Sequence, residues 1–366
     1  MRILESPLNR ECVLDGRTML CFAGCGYLGL QQEPSIRQAV HAAYEQQGIN
    51  AGIGRSYDIQ GAANAAAEQA GARFFGSETV CTVASGFVTP QIVIHLAAGQ
   101  VDYIVADELA HLALGDAFLQ LGLPVHRFRH RDPDDLDRLV RTHGGRPLVA
   151  TDGAFATFGW VAPVVAYWQV IAARGGWLLV DEAHSVGCIG PHRRGAYDVA
   201  GLTDERVLVA ATLSKAFCSF GGIIPLSHAQ RGILAKKSPI LRGSSESSVP
   251  ALATTAASFR YLAEHPERYA TMDARAAQLR AGFRALGLTV PETSMPIVTI
   301  DLGDAARTKA IATGLCERGF LVQHSFYIGA GPNGVLRHTV MASHTAEDID
   351  RLLTAWRNLL GHSERS

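Results

Sequence analysis

Short, continuously apolar segments alternate with helix-favouring segments along most of this chain, and this alternation constrains the fold more than any other feature. Two examples are WLLVD at 177–181 and RVLVAA at 206–211. Strands that are apolar throughout are covered on both faces, which is typical of a parallel sheet between helices. We therefore predict an α/β fold with a mostly parallel central sheet and helices on both of its faces.

The predicted elements divide the chain into a large and a small part. Strands are expected at 101–107, 124–128, 147–151, 177–181, 206–211 and 222–226, and helices at 34–48, 62–75, 110–121, 132–143 and 164–174. Two long helices follow between 249 and 286, and the strands 297–302 and 336–341 then alternate with the helices 305–318 and 345–360. We predict an N-terminal arm at 1–30, a large α/β domain at 31–260 and a small C-terminal α+β domain at 265–366, with the arm packed on the small domain or on a partner subunit.

The charge balance and the distribution of apolar residues exclude several classes of protein. The 366 residues include 33 Lys and Arg against 34 Asp and Glu, so no general attraction to nucleic acid or to an anionic membrane is expected. No apolar run approaches the ~20 residues of a membrane span. Residues 1–16 lack the apolar core of a signal peptide, and we therefore expect a cytoplasmic protein.

Seven cysteines are scattered along the chain without a CxxC pair. Cys21 and Cys25 have the spacing of zinc ligands, but no second pair of Cys or His follows nearby. Buried free thiols are the simpler interpretation, so no metal site is expected.

Polar residues capable of chemistry stand at the ends of the apolar strands. Asp181 and His184 close one predicted strand, and Thr212 and Lys215 follow the next. Parallel strands bring such residues to one edge of the sheet, where open α/β sheets bind ligands. A partly desolvated lysine can attack an aldehyde, and a buried aspartate can pair with a protonated pyridine nitrogen. Pyridoxal 5'-phosphate (PLP) needs both groups.

The remaining groups of PLP also find partners in the sequence. His184 suits the phenolic oxygen, the Thr212 hydroxyl suits the phosphate, and Gly86 and Phe87 offer backbone N–H groups at a helix start. Taken alone, Lys215 could be a surface lysine and Asp181 a capping or ion-paired carboxylate. The ordered set of a Gly-rich turn, then Asp…His, then Thr-x-x-Lys favours a PLP site over both alternatives.

These residues lie in motifs through which the chain resembles the α-oxoamine synthase family of fold-type I PLP-dependent enzymes. The motifs span most of the chain and are, in order, YLGL at 27–30, ASGF at 84–87, DELAH at 107–111, TDG at 151–153, DEAH at 181–184, TLSK at 212–215 and SHTAEDID at 343–350. The resemblance implies a fold-type I PLP transferase that forms a homodimer with shared active sites.

The resemblance also implies the roles of individual residues. The catalytic residues would be Lys215 as the Schiff-base lysine, Asp181 at the pyridine nitrogen, His184 near the phenolic oxygen and His111 stacked over the ring. The cofactor's phosphate would be bound by Ser85, Gly86, Phe87 and Thr212, and by Ser245 or Ser244 from the partner subunit. Arg337 would bind the carboxylate of the amino-acid substrate, which a planar guanidinium suits.

The reaction that the resemblance implies is the condensation of an amino acid with an acyl thioester. Decarboxylation usually follows and leaves an α-amino ketone. A fold-type I enzyme with other chemistry, such as an aminotransferase, aldolase or decarboxylase, is the alternative. A non-catalytic partner subunit is disfavoured because Lys215 is present.

The departures from the family pattern fall on the substrate side. The family's Asn-Asp is Cys25-Gly26, its loop arginine is Tyr57, its serine is Ala156 and a substrate-contacting threonine is Ile328. We therefore expect a divergent member with an altered acyl donor or acceptor, which includes the possibility of an acyl carrier protein in place of CoA.

Overall fold

The computed structural model of this chain describes residues 2–57 and 59–363. They form two compact units. The large unit consists of Pro34–Phe155 and Val161–Glu264, and the small unit of the described parts of Met1–Glu33, Ala156–Trp160 and His265–Ser366. The domain boundaries drawn from the sequence stay predictions, and residues 1, 58 and 364–366 of those domains lie outside the described residues.

The large unit alternates strands and helices, and the apolar pattern predicted all of its strands except Thr79–Val83. Its strands are β3 (Thr79–Val83), β4 (Tyr103–Asp107), β5 (Val125–Phe128), β6 (Pro147–Asp152), β7 (Trp177–Asp181), β8 (Val207–Thr212) and β9 (Gly222–Leu226). Its helices are α1 (Pro34–Gln47), α2 (Ala62–Phe75), α3 (Thr89–Val93), α4 (Leu112–Phe118), α5 (Pro133–His143), α6 (Val164–Ile171), α7 (Ala196–Val199), α8 (His228–Lys237), α9 (Pro239–Gly243) and α10 (Val249–Glu264).

These strands form one seven-stranded sheet in the order β3-β9-β8-β7-β6-β4-β5. The strands from β8 to β5 pair in parallel, and β9 runs antiparallel to both of its neighbours. All six residues of β6 are buried, as the continuous apolar pattern of a sheet covered on both faces requires. The predicted α/β fold with a mostly parallel sheet is confirmed.

The small unit is built on a second sheet, in the order β1-β2-β11-β12-β10. Its strands are β1 (Glu11–Leu14), β2 (Arg17–Phe22), β10 (Ile297–Ile300), β11 (Phe320–Ser325) and β12 (Val335–Thr339), and its helices are α11 (Glu267–Ala285), α12 (Ala305–Glu317) and α13 (Ala346–Ser363). A cluster of buried side chains joins helices and sheet, and includes Phe283 of α11, Leu315 of α12 and Trp356 of α13.

The strands β1, β2, β3 and β11 are absent from the sequence-based prediction. β1 and β2 form an antiparallel hairpin, and β2 pairs in parallel with β11. In this pair Leu20 lies opposite Phe320, which is 300 residues later in the chain. The segment FLVQHS of β11 has an apolar run of only three residues, and only its first and last residues are buried. Its strand conformation therefore depends on pairing with distant strands rather than on local pattern.

Candidate active site

A cavity of about 200 Å³ opens at the carboxyl edge of the large unit's sheet. It is lined by residues that end or follow β3, β4, β6, β7 and β8, which all point the same way in the sheet. The lining residues are Ser85, Gly86, Phe87, His111, Ala113, Asp152, Asp181, Ala183, His184, Thr212, Ser214 and Lys215. The structure thus brings together every predicted site residue of the large unit except Ser245.

Asp181 is the last residue of β7 and is only 5% exposed. Its Oδ1 accepts the N–H of Ala183 at 3.0 Å, which fixes the carboxyl group at the strand end. Burial raises the pKa of Asp181 above its ordinary value, and the charge of Lys215 opposes that shift. His184, three residues later, is also buried and lines the same cavity.

Lys215 is half-buried and lies on the turn between β8 and β9. Hydrogen bonds stabilise this turn. The N–H of Leu213 donates to Gly221 O at 2.9 Å. The Thr212 hydroxyl donates to the same carbonyl at 3.1 Å and accepts the N–H of Ser214 at 3.3 Å. Gly221 has a φ of +113°, and a Cβ there would collide with the carbonyl oxygen at the end of β3, so this turn requires glycine. The turn therefore holds Lys215 at a defined place in the cavity wall.

The segment 85–87 follows β3 and approaches β8 closely. Ser85 Oγ accepts the N–H of Phe87 at 3.2 Å, at the start of a short 3₁₀ helix, Gly86–Val88. A Cβ on Gly86 would collide with the side chain of Thr212, so only glycine permits this approach. Ser85, Gly86 and Thr212 together form a polar concavity of the size and kind that binds an anionic group.

His111 caps the N-terminus of α4 with its imidazole. Its Nδ1 accepts the N–H of Ala113 at 3.1 Å, so the proton of the neutral ring is on Nε2. The backbone N–H of His111 donates to Asp152 Oδ2 at 2.8 Å. Burial lowers the pKa of His111, and Lys215 lowers it further while Asp181 acts in the opposite direction. The ring is therefore a neutral, fixed plane at the cavity.

Asp152 is the lining residue to which the sequence assigned no role. It ends β6 and is 5% exposed. Its position at the end of a buried apolar strand, in the same register as Asp181 on β7, is the signal that could have identified it. The pairing of Asp152 with His111, 41 residues earlier, has no such signal in the sequence.

Ser245 is not among the residues that line the cavity. It is exposed and forms an isolated antiparallel bridge with Gly54, and the N–H of Arg55 donates to Ser244 O at 3.1 Å. The loop that contains Tyr57 is therefore held to the segment 244–245 within the same chain.

Arg337 belongs to β12 of the small unit and is 3% exposed. Its Nε donates to Ala156 O at 2.7 Å, and its Nη1 donates to the Thr339 hydroxyl at 2.8 Å. Further donor contacts reach Gly24 O, Gln323 Oε1, the Tyr27 hydroxyl and Cys25 Sγ. All of these acceptors are neutral, so the guanidinium carries an uncompensated buried charge within this set of contacts.

Two of the positions that depart from the family pattern contact this guanidinium, and a third is bonded to the residue beside one of them. Cys25 Sγ lies 3.8 Å from Arg337 Nη2, and Ala156 accepts from Arg337 Nε through its carbonyl. Ile328 O accepts the hydroxyl of Thr157, the residue next to Ala156, at 2.6 Å. The altered residues thus form one cluster in the small unit.

Comparison with known proteins identifies the family. The family model described as aminotransferase class I and II matches residues 19–355. An 8-amino-7-oxononanoate synthase from Cellvibrio japonicus is 32% identical over 362 residues, which cover 96% of this chain and 89% of the relative. The chain belongs to the α-oxoamine synthase family, within the class I and II aminotransferases. The family resemblance drawn from the motifs is confirmed.

Solved structures agree with this family assignment. A serine palmitoyltransferase from Sphingomonas wittichii is 25% identical, with a TM-score of 0.90 over 98% of this chain and 91% of that chain. A serine palmitoyltransferase from S. paucimobilis, solved with a bound PLP–myriocin aldimine, is 24% identical with a TM-score of 0.89 over 98% and 92% of the two chains. This α-oxoamine synthase family member therefore has the fold of fold-type I transferases.

Neither a metal-binding cluster nor a membrane-spanning helix is found in the part of the chain that the structure describes. Within residues 2–57 and 59–363, no group of three or more His, Cys, Asp or Glu is arranged to hold a metal ion. Over the same ranges, no helix combines the length and the apolar character needed to cross a bilayer.

Proposed function

We propose that this protein is a PLP-dependent acyltransferase that condenses an amino acid with an acyl thioester. The amino acid loses CO₂, the thiol is released, and an α-amino ketone is formed. The observation that carries this function is the convergence of Lys215, Asp181 and His111 on one cavity in a chain of the α-oxoamine synthase family.

The cavity has the donor set that PLP requires. Lys215 offers an amine for the aldehyde, and buried Asp181 offers a carboxylate for the ring nitrogen. The concavity of Ser85, Gly86 and Thr212 suits a phosphate, and a Cβ on Gly86 would collide with the Thr212 side chain. Bound PLP supplies a pyridinium ring that accepts electron density from the α-carbon of an amino acid.

Each large-unit residue then has one task. The Lys215 amine is the base positioned to take or return a proton, because a desolvated lysine is easier to deprotonate than an exposed one. Asp181 keeps a positive ring nitrogen protonated through its negative charge. The His111 ring, held at Nδ1 by Ala113, offers a flat face for stacking. His184 is the hydrogen-bond partner proposed for the phenolic oxygen.

Arg337 is the proposed site for the substrate carboxylate. Its buried charge with only neutral acceptors would be compensated by an incoming carboxylate. Because Cys25 and Ala156 contact Arg337, and Ile328 binds Thr157 next to Ala156, these altered positions would act on the choice of substrate rather than on PLP. This supports a thioester or an amino acid that differs from those of the named relatives, and an acyl carrier protein is one candidate donor.

We also propose a cytoplasmic homodimer with shared active sites. Leu112, which follows the cavity residue His111, and Phe220, on the turn that carries Lys215, are each 66% exposed, and such apolar side chains are commonly covered by a partner. In a dimer, Ser245 would reach the phosphate bound by the partner subunit.

The proposed function is tested by pairing glycine, alanine and serine in turn with CoA and carrier-protein thioesters. We expect one pair to release CO₂ and free thiol in equal amounts and to form an amino ketone, detected by mass spectrometry. The purified protein should be yellow, with an absorbance band that borohydride removes. Thiol release without a new carbon–carbon bond, or conversion of the amino acid to its 2-oxo acid, would contradict the condensation.

A further inference from the structure

Two buried carboxyl groups face the cavity from neighbouring strands, although the proposed reaction uses only one. Asp152 ends β6, Asp181 ends β7, and the parallel register pairs these two residues directly. Neighbouring strands lie ~4.8 Å apart, and paired residues point to the same face, so the two side chains are close neighbours. Each is 5% exposed.

Asp152 contacts the site through the backbone of His111. Its Oδ2 accepts the His111 N–H at 2.8 Å, and the Ala113 N–H binds the imidazole itself at 3.1 Å. The first bond fixes where α4 begins, and the second fixes how the ring is turned. Without Asp152, the N–H of His111 would lose its buried acceptor and the first turn of α4 its anchor.

The charges at the cavity favour a single negative carboxylate. Lys215 is the one Lys or Arg among the lining residues that the structure describes. Two ionised carboxylates side by side in a buried site repel each other strongly. Burial, together with the charge of Asp181, raises the pKa of Asp152 well above its ordinary value, and the His111 N–H and Lys215 only partly oppose this. Asp152 is therefore the member of the pair that keeps its proton.

We propose that Asp152 is a positioning residue that, as a neutral carboxylic acid, anchors His111 at the start of α4 and leaves Asp181 as the single negative charge of the cavity. This proposal rests on the proposed function, because it gives His111 its task at the PLP ring. A neutral Asp152 needs only one oxygen as an acceptor, so an amide oxygen can replace it.

Two substitutions separate the anchoring bond from the charge. Asp152→Asn is neutral and keeps an oxygen for the His111 N–H, whereas Asp152→Leu has a similar size but no acceptor. Glu182→Gln is the matched control, since Glu182 is a fully buried carboxyl beside Asp181 that does not line the cavity. Its two oxygens accept the N–H groups of Ala196 and Tyr197 and the Ser185 hydroxyl, so Glu182→Gln removes one buried acceptor away from the cavity lining.

The full chain is measured with and without PLP. Visible circular dichroism reports how bound PLP is held, and ¹⁵N signals of labelled histidine report the His111 ring in the chain without PLP. We expect Asp152→Asn to keep both signals and to lose less than about fivefold in kcat. Asp152→Leu should lose the Nε2–H signature of His111, change the dichroism band and reduce kcat about 50-fold, with KM changed less than about threefold. Glu182→Gln should keep both signals.

The proposal is overturned if Asp152→Asn is as damaging as Asp152→Leu, because the charge would then matter. It is equally overturned if Asp152→Leu keeps both signals. Should Asp152→Leu not fold, the comparison of Asp152→Asn with the parent protein still decides whether a neutral group suffices. If the parent protein neither binds PLP nor condenses any substrate pair, the proposed function has failed, and the histidine signals alone then test the anchor.

Discussion

The two units of this protein bury polar side chains in opposite ways. In the large unit, Asp181 and His111 stand at element ends and face a cavity. In the small unit, His338 donates from Nδ1 to Val298 O at 2.9 Å and accepts the Trp356 indole N–H at Nε2 at 3.1 Å. Its ring uses both nitrogens within the core, so nothing is left to bind a ligand.

His344 of the small unit also uses both of its ring nitrogens within the core. Its Nδ1 accepts the Met341 N–H at 3.0 Å, its Nε2 donates to Cys21 O at 2.9 Å, and its ring stacks on Phe22 at 4.3 Å. It lies in the motif SHTAEDID, through which the chain resembles its family. A histidine in a family motif can therefore have a purely structural role. His111 differs from His344 because its ring lines a cavity.

The largest expected effect is that of Lys215→Ala in the large unit. The amine that would bind the PLP aldehyde and move a proton is lost, so turnover should fall more than about 1000-fold. The visible absorbance band and the condensation rate are the measurements. Lys236→Ala, at an exposed site on α8, is the control and should keep both. A coloured, active Lys215→Ala protein would remove the basis of the proposed site.

Asp181→Asn should have the next largest effect. A neutral amide no longer holds the ring nitrogen protonated, so kcat should fall about 100-fold while PLP still binds. Titration with PLP and steady-state kinetics separate the two effects. Asp204→Asn, at a partly exposed ion pair with Arg206, serves as the control. Equal loss in both variants would indicate a general effect of removing a carboxylate.

Trp356→Phe tests the small unit. It leaves His338 Nε2 without its buried donor, which should lower the free energy of unfolding by about 1–3 kcal/mol. Denaturant titration measures this, and Thr354→Ala on the exposed side of α13 is the control. The PLP absorbance of the folded protein should not change. A change in that spectrum would contradict the structural role given to this pair.

The pH dependence of stability should reveal the buried histidines of the small unit. Burial lowers the pKa of His338 and of His344 to about 4, against ~6.5 in the unfolded chain. Between these values the unfolded chain binds more protons, so stability is fully present above pH ~6.5 and is lost as the pH falls towards 4. Each histidine contributes a slope of at most about 1.4 kcal/mol per pH unit. Denaturant midpoints at pH 7.5 and 5.0 should show a smaller difference in His338→Asn than in the parent protein. An equal difference in both would show that His338 does not titrate in this range.

Most strands of the large unit could be predicted from the sequence, because each is marked by a local run of apolar residues. The apolar runs of β6, β7 and β8 are buried strands, and parallel strands bring their ends to one edge, so the apolar pattern alone is enough to place Asp181 and Thr212 together. The same strand-end pattern indicated Lys215, and the family motifs added His111. The small unit was less predictable, because its sheet depends on the pairing of β2 with β11 across 300 residues of the chain.

The α/β class, the family and the identity of the groups at the cavity follow from the amino-acid sequence, because these depend on short apolar runs and on motifs that are contiguous in the chain. Which polar residues face a ligand and which face each other depends on the tertiary contacts. Asp152 meets His111 across 41 residues, and Arg337 meets Cys25 across 312. Such contacts depend on strand register and helix position, which no local pattern encodes.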